Sequence, residues 1–129
     1  MLIAALISGN GAPRALLWSW LEGAFELVAC PLLLTELERV LLRPKFRAYV
    51  TAREVRTYVA LLYRLAAVHP DLQVTRGLTP DPGDDYLVAL ARAAAAHFLV
   101  SGDSHLTRIS RPQPPVLTPR AFLKLVAIE

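Results

Sequence analysis

Two periods of apolar residues alternate along the chain, and they predict alternating helices and strands. In "APRALLWSWLEG" the residues Leu16, Leu17, Trp20 and Leu21 recur on one helical face. That segment opens at Pro13 and closes at Gly23, with proline in the first turn and glycine past the end. "FELVA", residues 25–29, reads as a short strand. "PLLLTELERVLLRP" returns to the helical period between Pro31 and Pro44, with Leu33, Leu34, Leu37, Val40 and Leu41 on the inner face. Thr51 and Glu54 in "TARE" have capping-box spacing, which predicts a long helix running towards His69.

The second half follows the same rule. "HPDLQVTRGLTPDPG" holds three of the ten prolines and no sustained period, so it is a connection. "DDYLVALARAAAA" is rich in strong helix formers and hands over to a strand, "HFLVS". After the stiff loop "RPQPP", Val116 and Leu117 suggest one more short strand. "TPRAFLKLV" then starts a helix with Thr118 as N-cap and Pro119 in the first turn. At the front, "MLIAALIS" is too short to span a membrane and has no basic segment before it. Residues 2–7 are therefore expected to be a strand, or the tail of one. No repeat and no second domain is visible, so residues 1–129 are expected to form a single domain. Strands separated by helices predict an α/β three-layer sandwich, with a mostly parallel central sheet flanked by helices.

Composition narrows the chemistry. With 129 residues, 54% of them hydrophobic, and a mean hydropathy of +0.39, the chain can bury a real core, which excludes disorder as a whole. Fourteen Lys and Arg against eleven Asp and Glu leave +3, a mild bias compatible with a polyanionic partner. Cys30 is the single cysteine and can form no internal disulfide; among apolar neighbours it reads as a small core residue in a reducing cytoplasm. It has no local His partner, and His69, His97 and His105 lack zinc-ligand spacing. No phosphate loop or dinucleotide fingerprint is present. The acids remain.

In open parallel sheets, ligands gather beyond the carboxyl ends of the strands. Asp103, in "LVSGDSHL", sits just past such an end, with Gly102 permitting a tight exit; a turn or capping role explains it equally well. Asp84 and Asp85, in "PDPGDDYL", stand at a helix start, where N-capping accounts for one of them but not easily for both. A helical wheel turns Asp84 towards the Leu87/Leu90/Ala91 face and Asp85 away from it. Glu36 and Glu38 flank the Leu33/Leu37/Val40 stripe from opposite margins, the usual place for solvated acids. Three carboxylates converging at one rim would suit Mg²⁺ or Mn²⁺, hard cations that activate water and stabilise phosphodiester cleavage.

The run "LIAALISGNGAPRALL…FELVACPLLLTELERVLLRPKF…DPGDDYLVALARAAAAHFLVSGDSHL…PPVLTPRAFL" resembles the PIN-domain family. The likeness is to those bacterial and archaeal members assigned as toxins of toxin–antitoxin systems, and it covers essentially the whole chain. It implies a metal-dependent ribonuclease acting through clustered acids, with Glu36 in its helix, Asp85 before "YLVALA" and Asp103 after the penultimate strand. Asp84 stands beside them as a further candidate ligand. Asp85 is chosen over Asp84 because its distance from "SGD" resembles the family's. Mg²⁺ or Mn²⁺ is the implied cofactor; RNA and a cognate antitoxin protein are the implied partners.

Two departures stand out. Where some relatives carry a further acid two residues after the Gly-Asp, this sequence has His105. Related chains also begin with a strand followed by Asp-Thr-Asn and an apolar residue; here Met1 occupies the position of that apolar residue, so the first strand and its Asp are missing. Assignment of the start at an internal GTG valine codon would produce this, and loss in evolution is the alternative. Either leaves the chain impaired as a nuclease. The competing reading is a catalytically degenerate PIN-fold module that binds RNA or a protein without cleaving; a receiver-type phosphoacceptor fits less well. Trp18 and Trp20 could serve a homodimer contact if exposed, and core positions if not.

Overall fold

In the computed structural model, residues 2–7, 11–72, 85–101 and 114–128 are described. The elements run α1 (Leu2–Ile7), α2 (Ala12–Leu21), β1 (Val28–Ala29), α3 (Pro31–Leu41), a 3₁₀ turn (Pro44–Phe46), α4 (Ala52–Leu65), β2 (Ala67–Val68), α5 (Asp85–Ala93), β3 (Leu99–Val100), β4 (Val116–Leu117) and α6 (Pro119–Ile128). Helices are interspersed with short parallel strands, consistent with an α/β fold. The connection over 73–84 and the "RPQPP" loop fall largely or wholly outside the described residues.

The strand expected at residues 2–7 is a helix instead. A short apolar run has no periodicity to separate the two, so tertiary contacts decide. Ala5 is fully buried, and Leu2, Leu6 and Ile7 pack against the main core. Two backbone carbonyls of α1 are held from outside it. The Tyr58 hydroxyl donates to the Leu2 carbonyl at 2.9 Å, and Arg14 Nη2 donates to the Leu6 carbonyl at 2.8 Å.

Helix α4 opens with the expected capping box: Glu54 N–H donates to Thr51 Oγ1 at 3.1 Å, and Thr51 N–H donates to Glu54 Oε1 at 3.0 Å. It does not reach His69. Ala66 is extended, and the next residues form β2, a strand the helical pattern conceals. Ala67 N–H binds the Leu27 carbonyl and His69 N–H the Ala29 carbonyl, both at 2.8 Å. The core lies where Leu34, Leu37 and Leu41 of α3 meet Val55, Tyr58, Val59 and Leu62 of α4, with Leu17 and Trp20 of α2 beside them. Thr118 caps α6 as expected, accepting from Ala121 N–H at 3.1 Å.

Both strand pairs are parallel, Val28 opposite Ala67 and Leu99 opposite Val116, but among the described residues they form two separate two-stranded pieces. Parallel strands turn alternate residues to alternate neighbours. Leu27 and Ala29 serve β2, while Leu99 and Ser101 serve β4, so Val28 and Val100 direct their backbone groups away from their partners. Phe122 of α6 bridges the pieces. Its ring lies 5.1 Å from Phe25, edge-on, and 5.9 Å from Phe98, so those two rings stand within about 11 Å of each other.

Candidate functional site

Because β1 and β2 are parallel, their carboxyl ends open on one rim. β1 runs directly into α3, whose N-cap, Cys30, makes no side-chain capping bond. Asp71, three residues past β2, caps the helix in its place, with Oδ1 accepting from Leu32 N–H at 2.9 Å. Sequence reasoning places Asp71 in a featureless connection. Only the unforeseen strand before it brings it to the rim. Burial pushes the Cys30 thiol above its ordinary value, and the Asp71 carboxylate adds to the effect, which suits an unreactive core cysteine.

A small cavity of roughly 10 Å³, about one water in size, lies at this rim between Cys30, Leu32, Pro70, Asp71, Tyr86 and Leu90. It draws the first turns of α5 against the start of α3. Asp85, the first residue of α5, is 1% exposed, and it is the one charged residue buried among the described residues. The helical wheel turns Asp85 outwards, and here the structure corrects it. The reason is geometric: α5 buries Asp85, Val88, Leu90 and Ala91, while Leu87 is only half-buried, so the buried arc is rotated from the one assumed. A carboxylate at the amino end of a helix faces the positive end of the macrodipole, which offsets part of the cost of taking it from water.

Glu36 lies one turn beyond Leu32 on the same face of α3, with its side chain 43% exposed. Arg39 grips both carboxylate oxygens, Nη2 to Oε2 at 2.8 Å and Nε to Oε1 at 3.3 Å. This hydrogen bonding, with the charges of Arg39 and Arg43, holds Glu36 below the usual carboxylate range. Its oxygens are therefore charged donors of the type a hard cation takes, already shared with a guanidinium. Glu38 is half-buried on the other flank.

Asp84, Asp103 and His105 lie outside the described residues. Among the described residues no group of three His, Cys, Asp or Glu side chains is placed to hold a metal ion. Glu36 and Asp85 thus stand on α3 and α5, two helices of which Leu32, Tyr86 and Leu90 line the small cavity. Carboxylate oxygens of this kind are the donors that hard divalent cations take. A wider open groove, about 490 Å³, lies beside Arg92, His97, Pro114 and Pro115; residues of that lining precede β3 and β4, so it opens at their amino ends, not at the acid-bearing rim.

Trp20 is buried and Trp18 is 56% exposed, so the two candidates for an apolar contact separate. Among the described residues no helix is long and apolar enough to cross a membrane.

Short parallel strand pairs packed with helices define an α/β domain. The family model for the PIN domain matches residues 1–105, and the chain belongs to that family. PIN domains are in general nucleases that depend on divalent metal and act on RNA. No curated protein and no solved structure matches the chain.

Proposed function

We propose that residues 1–129 form one PIN-type endoribonuclease domain, the cytoplasmic toxin of a toxin–antitoxin pair. Glu36, Asp85 and Asp103, with Asp84 beside them, hold Mg²⁺ or Mn²⁺ in this reading. The observation that carries it is Asp85: a carboxylate 1% exposed at the start of α5 in a PIN-family chain, where the resemblance assigns one of the family's acids. When bound, the ion supplies an activated water and neutralises charge on the cleaved phosphodiester. The chain's own part is to present oxygen donors. Asp85 is presented from a buried position, and Glu36 is kept ionised by Arg39, which binds both of its oxygens.

The reading includes impairment, because the 129 residues contain no Asp-Thr-Asn acid. A degenerate module that holds RNA without cleaving it is the second reading, favoured by the same missing acid.

The test is metal-dependent cleavage of RNA by the 129-residue chain, by a form extended with a strand ending in Asp-Thr-Asn, and by the extended form carrying Asp85→Asn or Asp103→Asn. Weak or absent cleavage, restored by extension and lost again in both variants, is expected. Equal cleavage by the short and extended chains would overturn the assignment of impairment, and undiminished cleavage by the Asp85 variant would overturn the site. RNA binding without cleavage by every form favours the module.

A further inference from the structure

The net charge of +3 conceals a strong asymmetry: residues 39–64 carry seven of the chain's fourteen Lys and Arg but one of its eleven acids. That acid, Glu54, is turned back onto the Thr51 N–H, and Arg39 is occupied by Glu36. Arg43, Lys45, Arg47, Arg53 and Arg56 are exposed, and none has a carboxylate partner among the described residues.

The backbone between α3 and α4 is wound tightly enough to display them. Phe46 N–H donates to the Arg43 carbonyl, Arg47 N–H to that of Pro44 and Tyr49 N–H to that of Phe46, at 2.9–3.1 Å. Phe46 and Val50 anchor this turn in the core, which leaves Lys45, Arg47 and Tyr49 outside. Tyr49 is 65% exposed, the most exposed of the large hydrophobic residues among those described. Arg53 lies in the first turn of α4, where the helix dipole disfavours cations. Local stability therefore gives no reason for its charge. Arg43 lies close enough for its charge to act on Glu36, so the basic surface continues to the acid-bearing helix.

We infer that the turn between α3 and α4 is a binding surface for single-stranded RNA, with Arg43, Lys45, Arg47, Arg53 and Arg56 on the phosphates and Tyr49 stacked on an unpaired base. The inference rests on the proposed nuclease reading for its choice of RNA and gives that site its substrate track. A lone exposed ring gains from bases already splayed out of a helix, which selects single strands over duplex. Phosphate contacts supply affinity that falls with salt, whereas stacking is nearly salt-independent.

The test is fluorescence anisotropy of the full chain with a labelled single-stranded RNA of about twelve nucleotides, in chelator so that no cleavage intervenes. The same strand in duplex and vesicles of anionic lipid serve as competitors. The triple variant Arg43→Ala/Lys45→Ala/Arg47→Ala should lower the slope of log affinity against log salt by about 2, at about 0.7 per phosphate released. Tyr49→Ala should weaken binding roughly ten-fold with the slope unchanged, and Tyr49→Phe should restore it. Arg120→Ala/Lys124→Ala on α6 should change neither, and circular dichroism melting checks the fold of each variant. Unchanged affinity and slope in the triple variant would overturn the proposal, as would duplex or vesicles competing better than the single strand. Binding that behaves as stated while no form cleaves RNA with metal leaves this surface standing and removes the nuclease reading; the reverse result removes the surface alone.

Discussion

Phe122 should behave as the rivet between the two strand pairs. Full truncation of a buried Phe to Ala costs about 3–5 kcal/mol. Phe122 is half-buried, so Phe122→Ala should cost about 2 kcal/mol. Part of that loss is specific to ring geometry, which a double-mutant cycle isolates. The Phe25–Phe122 pair meets at 5.1 Å with planes at 76°, an edge-to-face arrangement for which a coupling of about 0.5–1.5 kcal/mol is expected between Phe25→Leu and Phe122→Leu. The Phe98–Phe122 cycle should give less, since those rings stand 5.9 Å apart and tilted at 55°. Urea unfolding followed by circular dichroism measures all of these. Phe122→Ala should also change the m-value, because freeing one strand pair from the other breaks the single transition into two. A Phe122→Ala cost below about 0.5 kcal/mol with an unchanged m-value, or a Phe25–Phe122 coupling below about 0.3 kcal/mol, would refute the role given to this ring.

Thr51→Ala should destabilise the chain by about 1 kcal/mol in urea unfolding, and Thr51→Ser should recover most of it; a neutral Thr51→Ala would show that the capping box contributes nothing. Cys30 and Tyr58 both have folded values pushed up chiefly by burial, so the folded chain keeps protons that the unfolded chain releases. Their contribution is fully present below the unfolded values, about pH 8.5 for Cys and 10 for Tyr, and is lost as pH rises through the folded ones. The urea midpoint should therefore fall above about pH 8.5, with Cys30→Ala removing the earlier part of the fall and Tyr58→Phe the later; a midpoint flat from about pH 7 to 11 would contradict this. Arg39→Ala should free Glu36 and tighten Mn²⁺ binding roughly several-fold by calorimetry; weaker binding would mean that Arg39 orients Glu36 and does not compete with the ion.

Where a segment's own spacing carried the instruction, the sequence was enough. The stripe of Leu34, Leu37 and Leu41, the Thr51–Glu54 box and the Thr118 cap are all local, and each element starts where its spacing predicts. The α/β class was equally legible, because alternating periods leave few other ways to cover both faces of parallel strands. The choice of helix for residues 2–7 was not local: it rests on the Tyr58 hydroxyl and the Arg14 guanidinium, eight to fifty-six residues away. Nor was β2, whose two residues extend because Leu27 and Ala29 offer carbonyls to them. The site divides in the same way. Acids at strand ends and helix starts could be nominated from the sequence, and Glu36 and Asp85 were. The burial of Asp85, the capping of α3 by Asp71 and the grip of Arg39 on Glu36 depend on how α3, β2 and α5 meet, or on which rotamer a neighbour adopts. A one-dimensional pattern states which residues are able to meet; the packing of helices from distant parts of the chain decides which of them do.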